Sequence, residues 1–209
     1  ILEIHARNVK LDVDADLEFI AKGTTNFSGA DLANLINEAA LMAVKEGAEG
    51  ESEVTVKQRH LNRARDKVMM GLERKRRITV KEKKRVAIHE AGHAITMRET
   101  PEADPVYKVS IIPRGLALGV TASVPTEDQY LATTEQLLAQ VDVLLGGRVA
   151  EKICLGSISS GAENDIERVT IIARKMVCEY GMSEQIGQVN LTAAQKGMNF
   201  INQEFEVVN

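Results

Sequence analysis

Tryptophan is missing from this chain of 209 residues, and aromatic residues of all kinds make up 3% of it. That scarcity excludes a ring-rich core. With abundant Ala, Leu, Ile and Glu it predicts a mainly α-helical protein packed with aliphatic side chains. Cysteine occurs only as Cys154 and Cys178, without CxxC spacing. No disulfide framework fits, and the expectation is two reduced, partly buried thiols in an intracellular compartment. No apolar run approaches the ~18 residues that span a bilayer, and no signal peptide is visible, so the stretch reads as soluble. Charge of one sign is also lacking: 26 basic against 30 acidic residues leave a net charge of -4, which runs against a nucleic-acid partner. What is present is a hydrophobic share of 44%, ample for one large domain or two small ones. The chain opens at Ile1 inside an amphipathic pattern (Ile1, Leu2, Ile4, His5), and is expected to be an excerpt from a longer protein.

Histidine is scarce as well, with four in the chain, yet two of them fall in His89-Glu90-Ala91-Gly92-His93. This is an HExxH pattern. Chance would produce one in a chain of this composition roughly 1 time in 100. An α-helix turns once in about 3.6 residues, so imidazoles at i and i+4 project from one face and converge on one metal ion. Glu90 then lies beside the open coordination position, where it can take a proton from the attacking water. The pattern sits mid-helix: Thr79-Val80-Lys81-Glu82 reads as a capping box, and an apolar face (Val86, Ala87, Ile88, Ala91, Ala94, Ile95, Met97) continues to Pro101. Gly92 costs about 1 kcal/mol against Ala in a helix, which predicts another backbone passing close by. The bland alternative is a buried helix with two hydrogen-bonded core histidines.

Zinc in a catalytic site takes three protein ligands and leaves the fourth position to water. The extended HExxHxxGxxH pattern fails, because Thr96 and Glu99 occupy the places of its glycine and third histidine. His5 and His60 lie in another segment. A carboxylate is therefore expected, and by spacing alone Glu99, Asp104, Asp142, Glu151, Glu163, Asp165 and Glu167 all compete.

Residues 1 to about 72 read as a small helical unit. A short helix starts at Asp14 or Asp16 and breaks at Gly23-Thr24-Thr25-Asn26; Ser28-Gly29-Ala30-Asp31 caps a longer one. A polar loop, 47–53, precedes Thr55-Val56-Lys57-Gln58, read as a capping box for a helix ending at Gly71. The basic residues between Glu73 and Arg85, with Arg74-Lys75-Arg76-Arg77 and Lys83-Lys84-Arg85, read as an interdomain linker. After Pro105, Val106 to Ile112 alternates as a strand; Pro113-Arg114-Gly115 turns it; Gly119 to Val124 reads as its partner. Helix resumes beyond Thr133 up to Gly146-Gly147, and Ser160-Gly161-Ala162-Glu163 reads as a capping box for a last helix ending near Gly181.

Several stretches, taken in order over residues 1–187, resemble one family. They are Phe27-Ser28-Gly29-Ala30-Asp31-Leu32-Ala33-Asn34-Leu35 with Asn37-Glu38-Ala39-Ala40, Met70-Gly71-Leu72-Glu73-Arg74, the HEAGH stretch, and Ile111-Ile112-Pro113-Arg114-Gly115 with Ala117-Leu118-Gly119. Gly146-Gly147-Arg148 with Ala150-Glu151, and Ser160-Gly161-Ala162-Glu163-Asn164-Asp165, complete the set. The family is that of the FtsH-type AAA proteases, membrane-anchored ATP-dependent zinc metallopeptidases with mitochondrial and plastid relatives. The resemblance implies that Asp165, the acid of the SGAxxD stretch, is the third zinc ligand beside His89 and His93, with one Zn2+ per subunit. It implies that residues 1–75 are the helical lid of an AAA module and residues 76–209 a mostly helical zinc-metallopeptidase domain with a small β element. Gly29 and Ala30 match the lid segment that approaches the nucleotide, although a loop-to-helix turn explains them equally well. The Walker motifs of the family are absent here, so ATP and Mg2+ belong to the full-length protein.

By the same resemblance the protein assembles as a homo-hexamer, or a hetero-hexamer with paralogues, and degrades unfolded or membrane proteins for quality control. Segments preceding this chain hold it in the bacterial inner membrane with soluble domains in the cytoplasm, or in a mitochondrial inner membrane or plastid. Two departures are visible. Gln188-Val189-Asn190-Leu191 stands where the family has Pro and a longer acidic stretch, and 200–205 resembles a later family helix at too short a spacing, so the peptidase domain is expected to be incomplete at its C-terminus. An extended substrate is expected to pair with the strand carrying Val109 and Ile111, or with its partner carrying Val120, by strand addition. Glu151 and Arg148 are expected to serve ordinary salt bridging rather than support of the metal site. Two rivals remain: a non-proteolytic hexamerisation module with a degenerate metal site, for which the base Glu90 would be superfluous, and a non-proteolytic zinc hydrolase with a closed pocket.

Overall fold

The computed structural model describes residues 1–25, 27–47, 54–74, 77–114, 117–124 and 131–192. The expected tail feature at 200–205 lies outside these residues, as do most of the 47–53 loop, Asn26, Lys75, Arg76 and Gly115. The fold is mainly α: seven α-helices and one two-stranded antiparallel sheet among the described residues. The chain divides into two compact units, one of Ile1–Glu90 with Asp104–Tyr130, the other of Ala91–Ala103 with Leu131–Asn209.

In the first unit, helices α1 (Leu2–Ala6), α2 (Leu17–Lys22), α3 (Gly29–Gly47) and α4 (Gln58–Met70) enclose a core of Leu2, Ala6, Ile20, Leu35, Ile36, Ala39, Ala43, Val56, Leu61 and Ala64. Ile20, Leu35 and Leu61 are wholly buried, and each such side chain contributes about 1.5–3 kcal/mol. Local chemistry sets the helix starts. Asp16 accepts from the Phe19 amide, and Ser28 and Asp31 bond reciprocally across the first turn of α3. The start of α4 differs from expectation. Thr55 does not cap it, because its hydroxyl donates to Asp12; the helix begins three residues later, where His60 Nδ1 accepts from the Lys57 amide. His60 Nε2 must then carry the proton, and it donates to Glu46 at 2.9 Å, tying α3 to α4.

Strands β1 (Val106–Ser110) and β2 (Val120–Ser123) pair in register Val109 with Thr121 and Ser110 with Val120. Arg65 and Asp66 of α4 reach β1: Tyr107 accepts from Arg65 and donates to Asp66 at 3.0 Å, Lys108 pairs with Asp66, and the Arg65 guanidinium lies 4.7 Å from the Tyr107 ring centroid. Burial pushes the Tyr107 phenol above its usual range, so it stays a donor.

Helix α5 (Val80–Glu99) opens on the expected capping box, Thr79 and Glu82 bonding reciprocally. Lys83, Lys84 and Arg85 therefore belong to a helix and not to a linker, since the cap at Thr79 starts the regular backbone ahead of them. The second unit holds the later part of α5 together with α6 (Thr134–Leu155) and α7 (Glu163–Cys178). Contrary to expectation α6 does not stop at Gly146-Gly147; it runs on to Leu155 and is closed by Gly156 in the left-handed conformation. The reason is tertiary. A Cβ on Gly92 would collide with the Gly146 carbonyl and come within 2.6 Å of Ala150 Cβ, while one on Gly146 would lie 2.8 Å from the Gly92 carbonyl oxygen. The close backbone predicted from Gly92 is that of α6. The SGAE stretch also departs: Ser159, not Ser160, caps a single 3₁₀ turn (Ser160–Ala162), and α7 begins only at Glu163. Cys154 is exposed and Cys178 half-buried; both are free thiols.

Candidate active site

Helical register in α5 puts His89 and His93 one turn apart on one face, and both are buried, at 8% exposure each. In the second unit, α7 carries Asp165 in its first turn, and its Oδ2 lies 3.5 Å from His93 Nε2. His89, His93 and Asp165 each offer a ligand atom, all within 4.8 Å of one another. The other carboxylates left open by spacing do not join this group: Glu99 pairs with its neighbour Arg98, and Glu151 accepts from Ser159.

The donor set suits a zinc ion. Two imidazoles and one carboxylate form a known catalytic combination that leaves a position open. His93 Nδ1 lies 2.7 Å from the Val143 carbonyl of α6, which requires a proton on Nδ1 and turns Nε2 toward Asp165. Glu151, almost wholly buried, binds the Ser159 hydroxyl at 3.0 Å and so fastens α6 to the turn from which α7 departs.

Glu90 is buried at 7% exposure, and its carboxylate meets the β2 region. The Thr121 hydroxyl lies 2.8 Å from Glu90 Oε2 and 3.0 Å from the Glu90 carbonyl oxygen. Gly119 faces the other side, where a Cβ would stand 2.6 Å from Glu90 Oε1. Sequence reasoning missed both residues, because it read 119–124 as a strand without knowing which helix the strand would meet. Of the expected substrate-strand positions, Val109 is directly opposite Thr121, Val120 lies beside it on β2, and Ile111 falls just beyond the end of β1. Gly29 and Ala30 open α3, exposed, and do not join the histidine and aspartate group.

Peptidase family M41 matches over residues 76–208, more than half of the chain, and the AAA+ lid domain over residues 14–62. The chain belongs to peptidase family M41. Among curated M41-type relatives, the ATP-dependent zinc metalloprotease FtsH of Nitrosococcus oceani is 48% identical over 196 residues, 94% of this chain and 30% of that protein. The protein of the same name from Rubrobacter xylanophilus is 52% identical over 192 residues, 91% of this chain and 29% of its own length. That from Syntrophobacter fumaroxidans is 52% identical over 194 residues, 92% and 29% respectively. The M41 chain thus spans about a third or less of the relatives it matches. Among the described residues no helix is long and apolar enough to cross a membrane.

Proposed function

We propose that this chain is the lid and peptidase part of an ATP-dependent zinc metalloendopeptidase. His89, His93 and Asp165 hold the ion and Glu90 acts as general base and acid. The observation that carries the reading is the convergence within 4.8 Å of the Asp165 carboxylate with two imidazoles, the latter on the helix that also presents the buried Glu90. When bound, zinc supplies Lewis acidity, acidifying water and polarising the scissile carbonyl. The chain's own residues do the rest. Glu90 takes the proton of the attacking water and returns it to the leaving amine, and its burial keeps bulk water from competing for that proton. His93 is held in one tautomer by Val143.

Among the described residues the sheet has two strands, so each strand has one edge with no strand beside it. We assign an extended substrate to one of these edges, that of β1 at Val109 and Ile111 or that of β2 at Val120, where main-chain hydrogen bonds give affinity with little dependence on side-chain identity. Residues 1–75 serve as the AAA lid, with Gly29 and Ala30 nearest the nucleotide, and residues 76–209 as the peptidase; the family matches at 14–62 and 76–208 support that boundary. The names of the relatives support the coupling to ATP. The full protein, on this reading, is a membrane-anchored hexamer, in bacteria at the inner membrane, that degrades unfolded or membrane proteins.

Replacement of Glu90 by Gln in the full-length protein preserves size and polarity but removes the base. Cleavage of an unfolded, casein-like substrate should fall by about two orders of magnitude or more, with zinc content unchanged. Retained cleavage would show that Glu90 is not the base.

A further inference from the structure

The two histidine ligands and the base share one helix, but the carboxylate of the base is held by another element. Glu90 has a flexible side chain, and a general base must keep its oxygen within hydrogen-bond reach of the proton it removes. Two residues of the β2 segment act on that carboxylate from different sides. Thr121 places its hydroxyl 2.8 Å from Oε2, and Gly119 leaves room for Oε1 that any side chain would fill, since a Cβ there would stand 2.6 Å from Oε1, 2.8 Å from Glu90 Cγ and 2.7 Å from Val86 Cγ1. A hydroxyl has a single proton, so when Thr121 donates to Oε2 it leaves the Glu90 main-chain oxygen to the helix. We propose that Gly119 and Thr121 are positioning residues for Glu90, a donor on one carboxylate oxygen and a missing side chain beside the other, which together set the rotamer in which the base works.

The strand that carries them is paired with β1, Val109 lying opposite Thr121. Orientation of the base is thereby tied to the sheet on which a substrate strand is proposed to add. The inference rests on the reading of Glu90 as the base, and its test separates the two. Full-length, zinc-loaded protein is assayed on a short unfolded fluorogenic peptide as Thr121→Val, Thr121→Ser, Gly119→Ala and Glu90→Gln, with zinc content measured for each and a crystal structure of Thr121→Val. Thr121→Val, which loses a supporting hydrogen bond, should lower kcat about 10- to 100-fold, and Gly119→Ala, which crowds Oε1, should lower it as well. KM should stay within about twofold, and Thr121→Ser should recover most of the loss. In the crystal, Glu90 of the Thr121→Val protein should leave its wild-type rotamer. Should Thr121→Val fail to fold, Gly119→Ala decides the matter on the same criteria. Wild-type kcat in a folded, zinc-loaded Thr121→Val or Gly119→Ala protein overturns the inference, as does a loss confined to KM. If Glu90→Gln also keeps activity, the assignment of the base fails as well; if Glu90→Gln is inactive, only the positioning roles are lost.

Discussion

Asp165 is the member of the histidine and aspartate group that comes from a second helix. HExxH announces two candidate ligands and a candidate base by itself, since helical geometry alone brings them together. The proposed third ligand was not legible from spacing, because seven carboxylates were within reach and the choice depends on how α7 folds back; only the family resemblance pointed to Asp165. The first turn of α7 carries Glu163 as well as Asp165, which makes an internal control available: Glu163 is exposed and outside the group, while Asp165 is 3.5 Å from His93. Replacing Asp165 with Ala should weaken zinc retention by about 10-fold or more, and replacing Glu163 with Ala should leave it unchanged. Metal analysis after graded chelation measures both, and equal loss from Glu163→Ala would move the ligand assignment.

Elements were legible where a local cap agrees with the final packing, as with Thr79 and Glu82 at α5 or Asp16 at α2. They were misread where a distant residue takes over. Asp12 claims the Thr55 hydroxyl and moves the start of α4, and the approach of α5 allows α6 to run through two glycines that favour a helix end on propensity alone. Thr133 and Gln136 form a reciprocal cap at α6 that a T-x-x-Q reading would have found. The clasp between α3 and α4 has a pH signature. Glu46 is lowered from its ordinary 4.5 to about 2, first by the His60 hydrogen bond and then by Arg59. A carboxylate with a depressed folded pKa contributes stability in full above its unfolded value, and loses it as pH falls through the folded one. Denaturant midpoints should therefore decline as pH drops from 4.5 toward about 2, and Glu46→Gln should flatten that decline. An unchanged acid limb in the variant would exclude Glu46 as its source.

At the scale of the whole molecule, the two compact units do not follow the boundary drawn from family matches, since α5 contributes residues to both. On the proposed reading, function divides differently from compactness. Neither Walker motif occurs in these 209 residues, and unfolding even a marginally stable domain costs about 5 to 15 kcal/mol, more than pairing one short extended segment is expected to supply. This chain alone should cleave unfolded peptides slowly, unaffected by ATP, whereas the full-length protein should degrade a stably folded substrate only with ATP. Equal rates on folded and unfolded substrate by the isolated chain would remove the need for a motor. A last consequence concerns chain entropy. His93 and Asp165 stand about 70 positions apart, and closing a flexible loop of that length costs about 4 kcal/mol. The Gly92 and Gly146 crossing, the His93 to Val143 bond, the α6 to α7 packing and the Ser159 to Glu151 bond all close that loop without using the carboxylate. Tethering of the chain is thereby left to glycines, a carbonyl and a buried glutamate, and the ion's affinity can go into holding its ligands rather than into folding the protein around itself.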